Sequence, residues 1–236
     1  MQRADLLVGA DGVHSRVRSA LFPSSALRCA GQHCWRGVAP VRLAATWRSQ
    51  LTEMWGDGAR IGFVSIGPDQ VYWYATVSEP GAAQSGTPAN ADLAARFAGF
   101  SDPVGELLSA TPLGARIAGP LQDLARLPRW SVGHATLLGD AAHAATPNLG
   151  QGGAQAIEDS HALASALLGA EPVPVALERF RAVRAARVDA VVNRSWRLGQ
   201  ALNLRGTRAC RPRNAALRLG ARVLGSRPTA SLYRWP

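Results

Sequence analysis

Apolar positions along this chain follow two rhythms, and the changes of rhythm mark its organisation. Ala4 to Val8 (ADLLV) is a short continuous apolar run stopped by Gly9, which reads as a buried parallel strand ending in a turn. From about Gly31 to Ser78 the chain breaks into short runs rich in Trp, Tyr, Val and Ile, interrupted at Pro40, Gly56-Asp57-Gly58 and Gly67-Pro68. Gln70 to Val77 (QVYWYATV) predicts a strand, and Ala59 to Ile66 pairs with it across Gly67-Pro68-Asp69, so an antiparallel sheet is expected here. Pro80 to Asn90 is rich in Gly, Ala, Ser and Pro and reads as a loop, followed by short helices over Ala91 to Phe100 and Pro103 to Ser109.

Ala135 to Leu138 (ATLL) gives a second buried strand closing on Gly139. After a loop through Pro147 and Asn148, the spacing of Ile157, Leu163, Ala164 and Leu167 predicts a helix over Gly152 to Leu168. Strand, loop, helix is the nucleotide-binding unit of an open α/β sheet. Leu177, Phe180, Val183, Val188, Val191, Leu198 and Leu202 form a stripe that predicts one long amphipathic helix, with Arg179, Arg181, Arg184, Arg187 and Arg194 on a solvated face. The residues from Pro212 onward, punctuated by Gly220, Gly225 and Pro228, read as a weakly ordered tail. The expected organisation is therefore 1–27 and 130–172 as parts of one α/β domain, 28–129 as a sheet domain, 173–210 as the long helix and 211–236 as an Arg-rich tail.

The net charge of +10 raises a polyanionic partner, but its distribution argues against one. From Glu171 to the end there are 14 Arg against 3 acids, so the whole excess is C-terminal. All 26 basic residues are Arg and none is Lys, a bias that points to coding composition more than to phosphate contacts. No nucleic-acid partner is expected. Cys29, Cys34 and Cys210 form no CxxC pair, and an odd count does not make a disulfide framework, so a reducing, cytoplasmic setting is expected. Cys29, His33 and Cys34 lack the fourth ligand of a closed zinc site, and no metal is expected. No window approaches 18 uninterrupted apolar residues, so no membrane span is expected.

Chemistry concentrates in two strings. Gly139-Asp140-Ala141-Ala142-His143 leads to Pro147, then to Gly150-Gln151-Gly152-Gly153, with Glu158-Asp159 further along the helix. Gly139 lets backbone approach a ligand at a strand end, and Asp140 offers a carboxylate that accepts hydrogen bonds from polyol hydroxyls. Pro147 fixes the loop, and Gly150, Gln151, Gly152 and Gly153 expose the N–H groups of a helix N-terminus, an anion-stabilising element. Taken bare, GQGG is a glycine-rich turn capping a helix. The second string, Gly9-Ala10-Asp11-Gly12-Val13-His14-Ser15 closing on Arg18, follows a strand directly; as a bare motif Asp11-Gly12 is a turn and Ser15 a cap. A hydrolase built on His14-Ser15 or His143 is disfavoured, because no GxSxG elbow exists.

DGxxSxxR, a sheet region of about a hundred residues, GDAAHxxxPxxGQGG and an Arg-studded helix together resemble the FAD-dependent aromatic-hydroxylase-type monooxygenases, which include salicylate and hydroxybenzoate hydroxylases, urate hydroxylase and zeaxanthin epoxidase. The resemblance covers roughly Ala4 to Leu204. It implies an α/β fold: an incomplete FAD-binding domain, an inserted antiparallel-sheet substrate domain and a C-terminal long helix. It implies FAD as cofactor, held by Asp11 near the pyrophosphate, by Asp140 as a ribityl clamp, and by Gly139, Pro147, Gly150, Gln151, Gly152 and Gly153 about the flavin. It implies NAD(P)H as reductant and O2 as co-substrate, with a C4a-hydroperoxyflavin inserting one oxygen atom into an aromatic or alkene substrate. Tyr72, Tyr74, Gln70, Arg36 and Asn148 are candidates to line a substrate pocket; sheet packing explains any one of the aromatics equally well. The family's GxGxxG segment is not found ahead of the first string, so the chain reads as an N-terminally truncated member, completed by a separately supplied segment or acting as a homodimer. The alternative is an inactive remnant or binding protein that holds no FAD alone.

Overall fold

The computed structural model describes residues 3–79 and 93–224, with side chains to 219; the expected loop at Pro80 to Asn90 and residues 225–236 lie outside these. The described chain divides into two units, one of residues 3–32 and 120–200, the other of 33–79, 93–119 and 201–224.

In the second unit, alternation decides the architecture. Strands β3 (Thr52–Trp55), β4 (Ala59–Gly67) and β5 (Gln70–Ser78) form an antiparallel meander, and with β2 (Leu27–Ala39) and β6 (Ile117–Leu124) the sheet order is β3-β4-β5-β2-β6. The hairpin expected across Gly67-Pro68-Asp69 is present. Val71, Trp73 and Ala75 point inward with Trp35, Ile61 and Phe63, against helices α3 (Leu93–Arg96) and α4 (Val104–Ala110) through Leu93, Phe97, Leu107 and Leu108. Each of the larger of these side chains stabilises the fold by about 1.5–3 kcal/mol on burial. The Trp73 indole N–H donates to Thr111 Oγ1 at 2.8 Å, so its burial leaves no orphan donor. Tyr72 and Tyr74 lie on the opposite face, ring centroids 6.3 Å apart, as period-2 alternation requires.

The expected weakly ordered tail is corrected: Thr207–Leu224 is a helix, α8. Pro212 sits within its first two turns, and its inner face is anchored by Cys210 and Arg213. The Arg213 guanidinium donates to Leu202 O at 2.8 Å and Gly56 O at 3.2 Å. A buried cation with two carbonyl partners supplies what local propensity does not.

In the first unit, β1 (Leu7–Gly9) pairs in parallel with β8 (Ala135–Leu137), Leu7 opposite Ala135 and Gly9 opposite Leu137, and β7 (Ser131–Val132) completes the order β1-β8-β7. The direction is as expected but the burial of β1 is not, since Leu7 and Val8 are exposed at the edge of this sheet. Helices α6 (Gly152–Leu167) and α7 (Val173–Leu202) pack on the strand ends through Leu137, Leu163, Leu177, Phe180 and Val188. Both expected stripes pack inward only in part. Ile157 and Val183 face outward, while Gln155, Glu158 and Asp159 of α6 and Arg184 of α7 are buried. Two acids on one helix meet two arginines on the other, and once buried each needs the other as its hydrogen-bonding partner.

Candidate cofactor site

The parallel pairing of β1 with β8 places the ends of both strands side by side, so the two motif-bearing turns leave the sheet together. The link is continued by Leu138 N–H, which donates to Gly9 O at 2.9 Å. Gly9 tolerates no side chain: a Cβ there would lie 2.8 Å from Leu137 and Val17 atoms. Beyond Gly9 the chain turns at Gly12, φ +78°, into α1 (Arg16–Leu21), whose N-cap is Ser15.

Asp11 and Ser15 build that cap. Asp11 Oδ1 accepts from the Ser15 hydroxyl at 2.5 Å, Oδ2 accepts from Arg16 N–H at 2.7 Å and Val17 N–H at 3.2 Å, and Ser15 Oγ accepts from Arg18 N–H at 2.8 Å. The Ser15 hydroxyl foremost, with the N–H groups of Val17 and Arg16, holds the Asp11 carboxyl below the usual carboxylate range. The last residue of the motif, Arg18, is buried and reaches out of α1, donating to Val13 O at 2.6 Å and to Ala141 O at 3.1 Å. Arg18 thus ties the first turn to the second.

The second turn runs from Gly139, φ +59°, into the four-residue helix α5 (Asp140–His143), then through a 3-10 turn at Pro147–Leu149 and Gly150, φ +63°, into α6. Gln151 is the N-cap of α6 and its side chain makes no cap hydrogen bond, so the first-turn N–H groups are left for an acceptor outside the helix. Together with the macrodipole they act as roughly half a positive charge.

Between the two turns lies a cavity of about 240 Å³ lined by Ala10, Gly12, Leu138, Gly139, Asp140, Gly152, Gly153 and Ala156. Its walls are largely backbone, and a Cβ added at Gly12 or Gly153 meets nothing within 4 Å, so these glycines keep open a space that side chains would fill. Of the residues singled out from sequence, Gly139, Asp140, Gly152 and Gly153 meet here, with Asp140 exposed beside the glycines. Asp11, Pro147, Gly150 and Gln151 are not in the lining; Asp11 turns its carboxylate to α1, and the other three shape the loop into α6.

Of the five pocket candidates, Asn148 belongs to the first unit and the other four to the second. Asn148 is committed to the first unit, donating from Nδ2 to Thr146 Oγ1 at 3.0 Å and Ser195 O at 2.9 Å. In the second unit the Tyr74 hydroxyl donates to Glu53 Oε1 at 2.9 Å, and Glu53 also accepts from Arg60 at 2.8 Å. Burial, then the Glu53 carboxylate, push Tyr74 well above the ordinary phenol value, so it stays a hydroxyl at neutral pH. Tyr72 is half-buried on the same face and also raised by burial, with Arg36 opposing; Arg36 and Gln70 are exposed.

Sequence reasoning missed the network behind the second turn. Asp159 Oδ2 accepts from Gly139 N–H at 3.0 Å and lies 2.5 Å from His143 Nε2, while Oδ1 accepts from Arg184 Nε at 2.8 Å. Glu158 accepts from Arg187 at 2.7 and 2.8 Å and from Arg184 Nη1. Arg184 Nη2 also donates to Gln155 Oε1 at 2.7 Å. Arg184 and Arg187, expected on a solvated face, are instead buried and half-buried. Burial raises the carboxyls of Asp159 and Glu158, but the His143 and Arg184 contacts at Asp159, and the Arg187 and Arg184 contacts at Glu158, outweigh it and hold both below the usual range. The signal was present: an acidic pair on one helix and arginines three apart on the next.

Two βα turns converging on a backbone-lined cavity at the ends of parallel strands define a nucleotide-cofactor-binding protein of the α/β class. The chain belongs to the FAD binding domain family, which it matches over residues 2–195, and FAD is the cofactor of that family. It is 40% identical over 217 residues to aurachin C monooxygenase/isomerase of Stigmatella aurantiaca, covering 92% of this chain and 56% of the relative. It is 41% identical over 206 residues to the 2-heptyl-3-hydroxy-4(1H)-quinolone synthase of Pseudomonas aeruginosa strain UCBPP-PA14, covering 83% of this chain and 52% of the relative. The chain therefore spans about half the length of the curated relatives it matches. Among solved structures, Klebsiella pneumoniae HpxO in complex with FAD and uric acid superposes with a TM-score of 0.82 at 27% identity, covering 93% of this chain and 58% of that one. Among the described residues no helix is long and apolar enough to cross a membrane.

Proposed function

We propose that this chain is the flavin- and substrate-binding portion of an FAD- and NAD(P)H-dependent monooxygenase that inserts one oxygen atom of O2 into an aromatic or alkene small molecule. The observation that carries the proposal is the glycine-walled cavity between the turns at Gly12 and Gly139, with Asp140 at its rim and the uncapped start of α6 beside it. These residues fit FAD: Asp140 accepts from ribityl hydroxyls, Gly12, Gly139, Gly152 and Gly153 let backbone approach closely, and the first turn of α6 stabilises negative charge on a reduced ring. Asp11 contributes through the cap of α1, which fixes the turn nearest the pyrophosphate. Pro147, Gly150 and Gln151 set the direction of α6.

Bound and reduced by NAD(P)H, the flavin supplies the electrons that activate O2. The rest is the protein's part. The tyrosine face of the β3-β4-β5-β2-β6 sheet, with Tyr72, Tyr74 and Arg36, is the candidate surface against the substrate; Tyr74, held as a hydroxyl whose proton goes to Glu53, offers its oxygen there as an acceptor and does not act as a base. Asn148 serves the loop that carries Pro147. In domain terms, 1–27 with 130–172 serve the cofactor, 28–129 the substrate, and 173–210 braces the cofactor part. The name of the second relative makes a 4(1H)-quinolone with an alkyl chain the first substrate class to test.

Titration of the chain with FAD, followed by flavin fluorescence and visible absorption, tests the reading. Wild type is expected to bind, and Asp140→Ala to bind about ten-fold or more weakly, the loss of hydrogen bonds to a charged acceptor. A flavin spectrum unmoved by the wild-type chain, or equal affinity in Asp140→Ala, would sink it. NAD(P)H oxidation and O2 uptake with quinolones follow as the activity test.

A further inference from the structure

Asp140 makes its approach to the cavity from a short turn that is held by contacts from outside it. Helix α5 is four residues long, too short to persist on its own hydrogen bonds. Gly139 begins it at φ +59°, and a Cβ there would lie 3.0 Å from Ala156 Cβ, so the turn is pressed against α6. Within α5 the bonds are Ala142 N–H and His143 N–H to Gly139 O, at 2.9 and 3.0 Å. The Gly139 N–H goes outward, to Asp159 of α6. The same oxygen of Asp159 meets His143 Nε2, so a single carboxylate oxygen pins both ends of α5, while the other oxygen is held by Arg184 of α7. Asp159 is fully buried.

We infer that Asp159 is a positioning residue for the cofactor: it acts through Gly139 and His143 to aim Asp140 into the cavity, and Arg184 sets the rotation of its carboxylate. The inference rests on the proposed FAD site. Its chemistry is specific to two acceptor oxygens. An amide at 159 has one acceptor and one NH2 group, so it can satisfy either Arg184 or the Gly139 and His143 side, and presents a donor to the other. Glu158 supplies the comparison, being buried in the same network with Arg184 and Arg187 but having no hydrogen bond to Gly139 or His143.

The test compares FAD affinity and thermal unfolding in the full chain for wild type, Asp159→Asn, Glu158→Gln, Asp140→Ala and the double variant Asp140→Ala/Asp159→Asn. Asp159→Asn is expected to weaken FAD about ten-fold and to shift the bound-flavin absorption bands. Glu158→Gln, which also loses stability, is expected to stay within about two-fold of wild type. In the Asp140→Ala background Asp159→Asn is expected to add less than about three-fold, because its effect runs through the missing carboxylate. Equal losses in both backgrounds, or losses in Asp159→Asn and Glu158→Gln that simply follow their unfolding temperatures, would overturn the positioning role. Wild type that takes up no FAD would instead overturn the site itself, and this inference with it.

Discussion

Replacing Arg184 by Met tests whether the network between α6 and α7 holds the first unit together. Met keeps the aliphatic length of the side chain, which is 4% exposed, and removes the guanidinium. Glu158 keeps Arg187 at 2.7 and 2.8 Å, so the loss falls mainly on Asp159, left with His143 and Gly139 N–H. Breaking a buried ion pair from one side costs about 3–5 kcal/mol, and the surviving partners put this case near about 3. For a chain of this size that is a fall of about 10 °C in unfolding temperature.

The pH dependence has a definite sign. Both carboxyls sit below their unfolded values in the folded protein, so their stabilisation is complete above about pH 5 and is lost as pH falls through the unfolded and then the folded values. Without Arg184, Asp159 is less depressed and has less to lose in acid. The gap between wild type and Arg184→Met should therefore be widest near neutrality and narrow as the pH falls below about 4.5. Far-UV circular dichroism melts of the two proteins across that range measure it. A gap below about 1 kcal/mol at neutral pH, or one that widens in acid, would refute the assignment of Arg184 as the counter-charge of a buried carboxylate pair.

Two further substitutions separate space from stability. Gly153→Val projects into the cavity where a Cβ meets nothing within 4 Å, so unfolding temperature should hold while FAD affinity falls at least about ten-fold; equal affinity would mean the cofactor lies elsewhere. Gly199→Ala does the reverse, since its Cβ would lie 2.2 Å from Asn148 Nδ2. It should displace the Asn148 amide from Thr146 and Ser195 and cost about 1–3 kcal/mol by thermal unfolding, while adding little further loss in an Asn148→Ala background.

What the sequence made legible was local. The β4-β5 hairpin follows from alternation and a Gly-Pro turn, and the second turn of the cofactor site from a strand, a glycine and an acid in order. What stayed hidden needed two distant segments at once. A period of 3.6 counted Val183 as core and Arg184 as surface; the reverse is true because Arg184 faces acids 25 and 26 residues earlier, whose burial no window around α7 can report. Likewise Pro212 and Gly220 suggested weak order, while the helix is secured by carbonyls of Gly56 and Leu202 that local propensity does not see. Asp11 shows a third limit: its motif marks a turn, but nothing in the motif says that the carboxylate serves α1 and not the cavity wall.

The staple from Arg18 to Ala141 spans 123 residues of chain, and the parallel pair it accompanies spans a similar interval. Closing a loop of that length costs about 4 kcal/mol of chain entropy before any contact repays it. On a ribosome, β4 and β5 can pair as soon as they emerge, whereas the cavity has one wall waiting until the other is synthesised. High contact order of this kind makes cofactor competence a late event in folding. Insertions that lengthen the intervening sheet segment add little to that entropy, since it grows only logarithmically. The intervening sheet segment can therefore change in size over evolutionary time while the two turns still find each other.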